Sequence, residues 1–192
     1  NNDGVADYIF TAGAGGGPQV EIVSGKDGSV LFNFFAYDSS FRGGVFTAAA
    51  DVNGDSFADI VTGAGAGGGP HVRVFSGKDG SVLADFFAYD PNFRGGARTA
   101  VGDLTGDGTP DLDIAAGFGG GPRVTVINGK SVFSTTGFDS VSRPVGDFFA
   151  FHSSLQNLLY LAFAEGNRHK LCYLPICSGS ARRGSSSSRA RR

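Results

Sequence analysis

The sequence predicts an all-β fold made of a repeated unit of four short antiparallel strands. The first reason is an internal repeat, because Asp-rich loops end at Asp7, Asp59 and Asp111, each 52 residues after the last. A fixed period of this length is typical of stacked supersecondary units. The second reason is composition, since 32 of the 192 residues are glycine, a residue that favours turns. The third is that the acids are almost all Asp, which is poor in helices.

The second unit shows its predicted strands most plainly. A β-branched run over 58–63 predicts the first strand, and alternation over 71–75 predicts the second. The Asp79-Gly80 pair predicts a tight turn into a third strand over 81–89, and a fourth follows over 97–102. Both faces of the third strand are largely apolar, so neighbouring units are expected to cover both. About three such four-stranded antiparallel blades of an incomplete β-propeller are predicted.

The predicted blades lie at about 7–58, 59–110 and 111–167. In the third, the pattern of 85–89 returns at 147–151 instead of 137–141, so ten residues are inserted. With this offset, residues 161–167 correspond to 99–105. The recognisable repeat, 1–167, is followed by a basic Ser/Arg-rich tail over 168–192, which is expected to be either disordered or non-native. Three blades also predict a fragment of a larger propeller, with open edges that favour self-association.

The charge of the chain is divided between these two regions. Residues 1–167 contain 9 Lys and Arg against 18 Asp and Glu, whereas residues 168–192 contain 7 Lys and Arg and no acid. An acidic body repels phosphates, so no nucleic acid partner is predicted. No apolar run reaches the roughly 20 residues of a membrane span, so none is predicted. Cys172 and Cys177 both lie in the tail, and their disulfide state is left open.

The Asp-rich loops predict calcium sites. Oxygen side chains at alternate positions, followed by a carboxylate four residues on, suit a turn that wraps a hard cation. Oxygen-only ligands favour Ca²⁺ over transition metals. The alternative is that Asp and Gly merely form turns, but three loops in step favour the metal. The second loop is complete, with side-chain ligands, one backbone carbonyl and a final carboxylate, in the order Asp51, Asn53, Asp55, Phe57 and Asp59.

The other loops are predicted to be weaker. The third offers Asp103, Thr105, Asp107, Thr109 and Asp111, of which Thr105 is a poorer ligand than Asn53. The first lacks its leading Asp and keeps a partial set of Asn1, Asp3 and Asp7. A fourth site is not expected, since His169 replaces the central Asp after Glu165 and Asn167.

These units resemble the FG-GAP/VCBS repeat family, the blades of integrin alpha-chain-type β-propellers. The resemblance is carried by the loops Asp51 to Asp59 and Asp103 to Asp111, each followed about ten residues later by a Gly-rich turn and Pro, and by Phe118-Gly119-Gly120-Gly121-Pro122. It covers residues 1–167 and looks like the bacterial type. It implies a secreted or surface-exposed, calcium-stabilised propeller with more blades than this chain. It also implies a role in adhesion, or as an accessory to an enzyme.

The predicted function is therefore that of a non-enzymatic, calcium-binding scaffold of an extracellular or cell-surface protein. Its expected partners are an unknown protein or glycan ligand and the remaining blades of the parent propeller. The alternative is a non-catalytic accessory propeller of a larger secreted hydrolase or lyase. No catalytic residue is predicted, because no nucleophile–base pair recurs or clusters.

Three further motifs are interpreted as structural. Arg42 and Arg94 precede Gly-Gly and are expected to pair with Asp38 and Asp90, although a surface for acidic or glycan partners is the alternative. The GxGxxG pattern over 63–68 is followed by a proline and a predicted strand, whereas a dinucleotide site needs a helix there. His71 corresponds to Gln19 and Arg123 in the other units, so it is not expected to be a catalytic base.

Overall fold

The computed structural model describes residues 1–132, 144–150, 161–163 and 171–173. Within them the chain is almost entirely strand and turn, as predicted. A single helical turn, α1, spans Gly129–Val132. No helix in these residues is long and apolar enough to cross a bilayer. The strands are β1 (Tyr8–Thr11), β2 (Gln19–Val23), β3 (Val30–Phe35), β4 (Val45–Ala50), β5 (Asp59–Ala64), β6 (His71–Phe75), β7 (Val82–Phe87), β8 (Ala97–Gly102), β9 (Asp111–Ala116), β10 (Arg123–Ile127), β11 (Pro144–Phe149), β12 (Leu161–Phe163) and β13 (Leu171–Tyr173).

The strands form three antiparallel sheets and one hairpin. The first sheet has the order β1-β2-β3, the second β4-β5-β6-β7 and the third β8-β9-β10-β11, while β12 pairs with β13. Neighbours in each sheet are consecutive in sequence, so every connection is a hairpin. This meander, repeated along the chain, confirms the predicted all-β fold of incomplete propeller blades.

The sheets are offset from the predicted blades about 7–58, 59–110 and 111–167. Each four-stranded sheet begins with the strand before an Asp loop, because β4 pairs with β5 without interruption from Val45↔Ala64 to Ala50↔Asp59. The same pairing joins β8 to β9. The second and third Asp loops are therefore hairpin turns inside a sheet, and do not link one sheet to the next.

The inserted unit keeps its strand register. Arg123 pairs with Phe149 between β10 and β11, just as His71 pairs with Phe87 between β6 and β7. The offset of ten residues between the second and third units is thus accommodated before β11. β12 lies against β8, where a further sheet would follow.

Two hydrophobic clusters hold the sheets face to face. Between the first and second sheets, Val20, Ile22 and Ala36 pack with Ile60 and Phe75. A larger cluster lies between the second and third sheets, where most side chains are fully buried. Burial of this kind is the main stabilising term of the fold. The larger cluster is formed by Val52, Val61, Val72, Val74, Ala84, Phe86, Ala97, Leu112, Ile114 and Val132.

The outer strand of the second sheet is covered on one face only. Ala84 and Phe86 are buried, but Phe87 on the opposite face is 40 % exposed. Asp85, beside it, is also exposed. The expectation that both faces of this strand are covered is therefore wrong at its end. Propeller sheets twist, so the outermost strands diverge from their neighbours.

A repeated tyrosine joins successive sheets. The Tyr37 hydroxyl donates to the carbonyl of His71 at 3.0 Å, and the Tyr89 hydroxyl donates to the carbonyl of Ile114 at 2.5 Å. Each tyrosine follows the last strand of one sheet, β3 or β7, and reaches the next sheet. Burial raises the pKa of both hydroxyls, so they remain protonated donors.

Candidate functional site

The three Asp loops share one backbone geometry. The fourth loop position has a positive φ in each, at Asn2 (57°), Gly54 (80°) and Gly106 (74°). The sixth position does too, with Ser56 at 72° and Gly108 at 85°. Ser56 thus bends with its Cβ in place, at the position where the third loop has Gly108. An L-residue in this region is strained.

The oxygen side chains of the second loop line the inside of the turn. Asp51 accepts hydrogen bonds from the amides of Gly54 (2.7 Å), Asp55 (3.0 Å) and Ser56 (2.8 Å). Asn53 accepts from the amide of Asp55 at 2.9 Å, and Asp55 accepts from Phe57 at 2.9 Å. Each oxygen thus satisfies backbone donors that the tight turn would otherwise leave unpaired.

The last carboxylate of each loop makes a contact that the sequence did not predict. Asp59 is fully buried and accepts from the amide of Val52 (3.1 Å) and from Gly77 (3.1 Å), which follows β6. Burial raises the pKa of Asp59, opposed by those two amides, and the nearby Asp55 raises it further. The carboxylate therefore connects the loop to the turn that closes the outer hairpin.

The same connection recurs in the other two loops. Asp7 accepts from the amide of Gly25 at 3.1 Å, and Asp111 accepts from that of Gly129 at 3.2 Å. Each pair is separated by 18 residues, as are Asp59 and Gly77. One sequence pattern could have indicated this contact between loop and turn. A Gly-Lys pair at 25–26, 77–78 and 129–130 repeats in step with the loops.

Charges around the second and third loops differ. In the second, Lys78 lies 5.7 Å from the ring centroid of Phe57, and neither Asp51 nor Asp55 has a cationic partner among the described residues. In the third, the Nζ of Lys130 lies 3.4 Å from Asp107 Oδ2. None of the three carboxylates of the second loop therefore has a countercharge among the described residues, whereas in the third loop Asp107 has one.

The first loop is held together by its own groups. The side-chain oxygen of Asn1 accepts a hydrogen bond from the amide of Asp3 at 3.1 Å, and Asp7 accepts from that of Gly25. Asp3 accepts from the amide of Val5 at 2.9 Å. The partial ligand set of Asn1, Asp3 and Asp7 is thus adjacent in space, with Asp7 already hydrogen-bonded.

The residues of the second loop fit Ca²⁺ in their chemistry. They offer oxygen donors only, and Asp51 and Asp55 are not neutralised by a neighbouring cation. However, the described residues contain no group of three or more His, Cys, Asp or Glu side chains placed to hold a metal ion. The loop is thus held in shape by hydrogen bonds from its own amides. All the predicted oxygen ligands are present, but their side chains do not converge on one position for a metal ion.

Arg42 and Arg94 do not form the predicted pairs with Asp38 and Asp90. Arg42 donates to the carbonyls of Ser39 (2.6 Å) and Phe41 (2.9 Å), and Arg94 donates to that of Pro91 (2.8 Å). The two carboxylates instead accept from the amides two residues on, Ser40 and Asn92, both at 2.8 Å. Asp forms this local turn readily, and each arginine is bound instead to backbone carbonyls of its own loop.

His71 is held in a structural cluster. Its Nε2 hydrogen-bonds to Asp85, and its ring lies 5.1 Å from Tyr37 and 4.8 Å from Phe87 between centroids. Arg73 donates to the same carboxylate at 2.7 Å. The glycine-rich turn before His71 leads into β6, the strand predicted there. Glu165, Asn167 and His169 fall outside the described residues, as does the tail apart from β13.

Comparison with known proteins shows similarity to a repeat family and to curated relatives. Residues 43–83 match the FG-GAP repeat, a segment that begins just before β4, includes the second Asp loop and ends in β7. The chain is 27 % identical to integrin alpha-V of Gallus gallus over 165 residues, covering 73 % of the chain and 15 % of the relative. The chain thus spans only a small part of that relative's length. No solved structure matches. The predicted resemblance is confirmed.

Proposed function

Since the chain carries an FG-GAP repeat of the type found in integrin-like propellers, we propose that it is a calcium-binding β-propeller module of an extracellular or cell-surface protein. In this role it is a binding scaffold without catalytic activity. The single observation that carries the proposal is the second Asp loop. Its oxygen donors line a fixed turn, and its carboxylates have no cationic partner.

The residues that would hold Ca²⁺ are those of the second and third loops. In the second, Asp51, Asn53 and Asp55 would contribute side-chain oxygens and Phe57 its carbonyl, with Asp59 completing the set. In the third, the corresponding residues are Asp103, Thr105, Asp107, Thr109 and Asp111. A bound cation would relieve the repulsion that raises the pKa of Asp59 through Asp55. Because each loop joins two strands of one sheet, binding would stabilise that hairpin.

The proposed partner surface lies at the end of the sheets opposite the Asp loops. There β3, β7 and β11 end in Phe35, Phe87 and Phe149, which are 55 %, 40 % and 54 % exposed. Arg42 and Arg94 are exposed in the loops that follow Phe35 and Phe87. Aromatic rings with arginines nearby suit an interaction surface, and we propose a protein or glycan ligand for it. The remaining blades of the parent propeller are the other proposed partner.

The alternative of an accessory propeller in a secreted hydrolase or lyase uses the same calcium loops. A catalytic domain encoded beside the repeats in the parent gene would distinguish it from an adhesion scaffold.

Thermal unfolding with and without calcium tests the proposal. At about 100 times the dissociation constant, one site stabilises the fold by about 2.7 kcal/mol. For a chain of this size that amounts to roughly 5–10 °C in the midpoint. Asp55→Ala should remove most of the shift, and Lys78→Met, which leaves all loop oxygens in place, should retain it. An unchanged midpoint of the unsubstituted chain in millimolar Ca²⁺ would contradict calcium binding.

A further inference from the structure

The third Asp loop is engaged by two side chains from the turn after β10. Lys130 donates from Nζ to the backbone carbonyl of Asp107 at 3.0 Å, and the same ammonium lies 3.4 Å from Asp107 Oδ2. Asn128 donates from Nδ2 to that Oδ2 at 3.2 Å. The central carboxylate of the loop is therefore already bound by a cation and an amide of the same chain.

The second loop has no equivalent contacts, although its turn is aligned with that of the third. Lys78 corresponds to Lys130 at the repeat period, but its ammonium lies over the ring of Phe57. The third loop has Thr109 at the position of Phe57, so it offers no such ring. Ser76 corresponds to Asn128, but its hydroxyl is engaged within its own turn, where it accepts from the amides of Lys78 and Asp79. The repeats thus differ at two positions, Phe57 against Thr109 and Ser76 against Asn128. The equivalent lysine lies over an aromatic ring in the second loop and contacts the central carboxylate in the third.

We propose that Lys130 is a built-in counter-ion of the third loop that competes with Ca²⁺ for Asp107. The inference rests on the proposed calcium function. An ammonium and a metal ion cannot share this carboxylate oxygen at close range without strong repulsion, so binding has to displace the lysine and break its hydrogen bond. Asp107 is consequently neutralised without metal, and the third loop binds Ca²⁺ more weakly than the second.

Calorimetric titration with CaCl₂ tests this inference in a variant whose second loop no longer binds calcium. In an Asp55→Ala background, Lys130→Met removes the charge and keeps the aliphatic stem, whereas Lys130→Arg keeps the charge. Lys130→Met should tighten binding at the third loop by up to about fivefold, the upper end of the range expected when an exposed ion pair no longer has to be broken. Lys130→Arg should change the affinity little. Lys78→Met is the matched control for a general loss of positive charge.

A second measurement needs no bound metal. In a chelator, Lys130→Met should lower the unfolding midpoint by about 1–3 °C, because Asp107 loses its counter-ion, and saturating Ca²⁺ should restore it. Equal affinities for Lys130→Met and its parent, or an equal gain with Lys78→Met, would overturn the inference and leave calcium binding intact. Absence of binding in every variant would instead contradict the proposed function itself.

Discussion

Asp113 occupies a position where the second sheet has Val61, and it is fully buried. Its carboxyl oxygens have no hydrogen-bond partner in the described part of the chain. Burial, with a smaller contribution from Asp111, raises the pKa of Asp113 to about 7. The folded state therefore favours the protonated acid. Burial of Asp113 therefore costs free energy of unfolding in a pH-dependent way. This cost is absent below pH 3.8, the ordinary pKa, grows as pH rises above it, and is complete above about pH 7.

Replacing this residue by the valine of the preceding repeat should stabilise the protein in a pH-dependent way. Asp113→Val removes an ionisable group whose burial costs of the order of a few kcal/mol above neutral pH. The gain in unfolding free energy should be larger at pH 8 than at pH 5, measured by urea denaturation. Equal gains at both pH values would show that Asp113 does not titrate as described.

At the scale of single residues, the sequence predicted what could be inferred from local chemistry. The positive φ of Ser56 follows from its alignment with Gly108, and the alternating oxygens follow from their spacing. The buried role of Asp59 could not be inferred, because its partner Gly77 becomes a neighbour only after β5 and β6 have paired. The pairing of Arg42 with Asp38 was wrong for a related reason, since the Asp38 carboxylate accepts from Ser40.

The hairpin across each Asp loop is the main structural element of the site. The strands β6 and β8 have the predicted bounds, 71–75 and 97–102. Their assignment to sheets differed from the predicted blades, because a period of 52 residues sets the repeat length but leaves its starting point undefined. The loop is also joined to the outer hairpin through Gly77, whose amide approaches Asp59.

Gly77→Ala should weaken this junction. An added Cβ would overlap the backbone carbonyl of Ala58, which cannot move without breaking the hairpin. We expect a loss of about 1–3 kcal/mol, as for overpacked sites. Gly13→Ala is the control, because a Cβ there meets open space and should change stability by less than about 0.5 kcal/mol. Chemical denaturation of both variants measures the difference, and equal stabilities would contradict the close packing.

At the scale of the whole molecule, the sheets leave apolar surface uncovered. β1 is the edge strand of the first sheet, and its Tyr8 and Phe10 are 60 % and 56 % exposed. An edge strand of this kind pairs readily with another chain. The sequence predicted such open edges from the number of blades, although it did not predict which strand would be exposed.

Self-association should therefore depend on concentration. Light scattering after size-exclusion chromatography is expected to show a rising mean mass, and Phe10→Lys should reduce it, because a charge on an edge strand opposes pairing. A constant monomer mass over the whole concentration range would contradict this account of the edge.

The central claim is that Asp loops in step along the chain bind calcium, and calorimetric titration of the unsubstituted chain with CaCl₂ tests it most directly. The account predicts saturable binding, with the second loop the tighter site and dissociation constants of about 10⁻⁴–10⁻³ M, as in extracellular calcium modules. Asp51→Ala should abolish the tighter component, because it removes the oxygens around which the loop is wound. A titration without saturable heat through the millimolar range would contradict the claim.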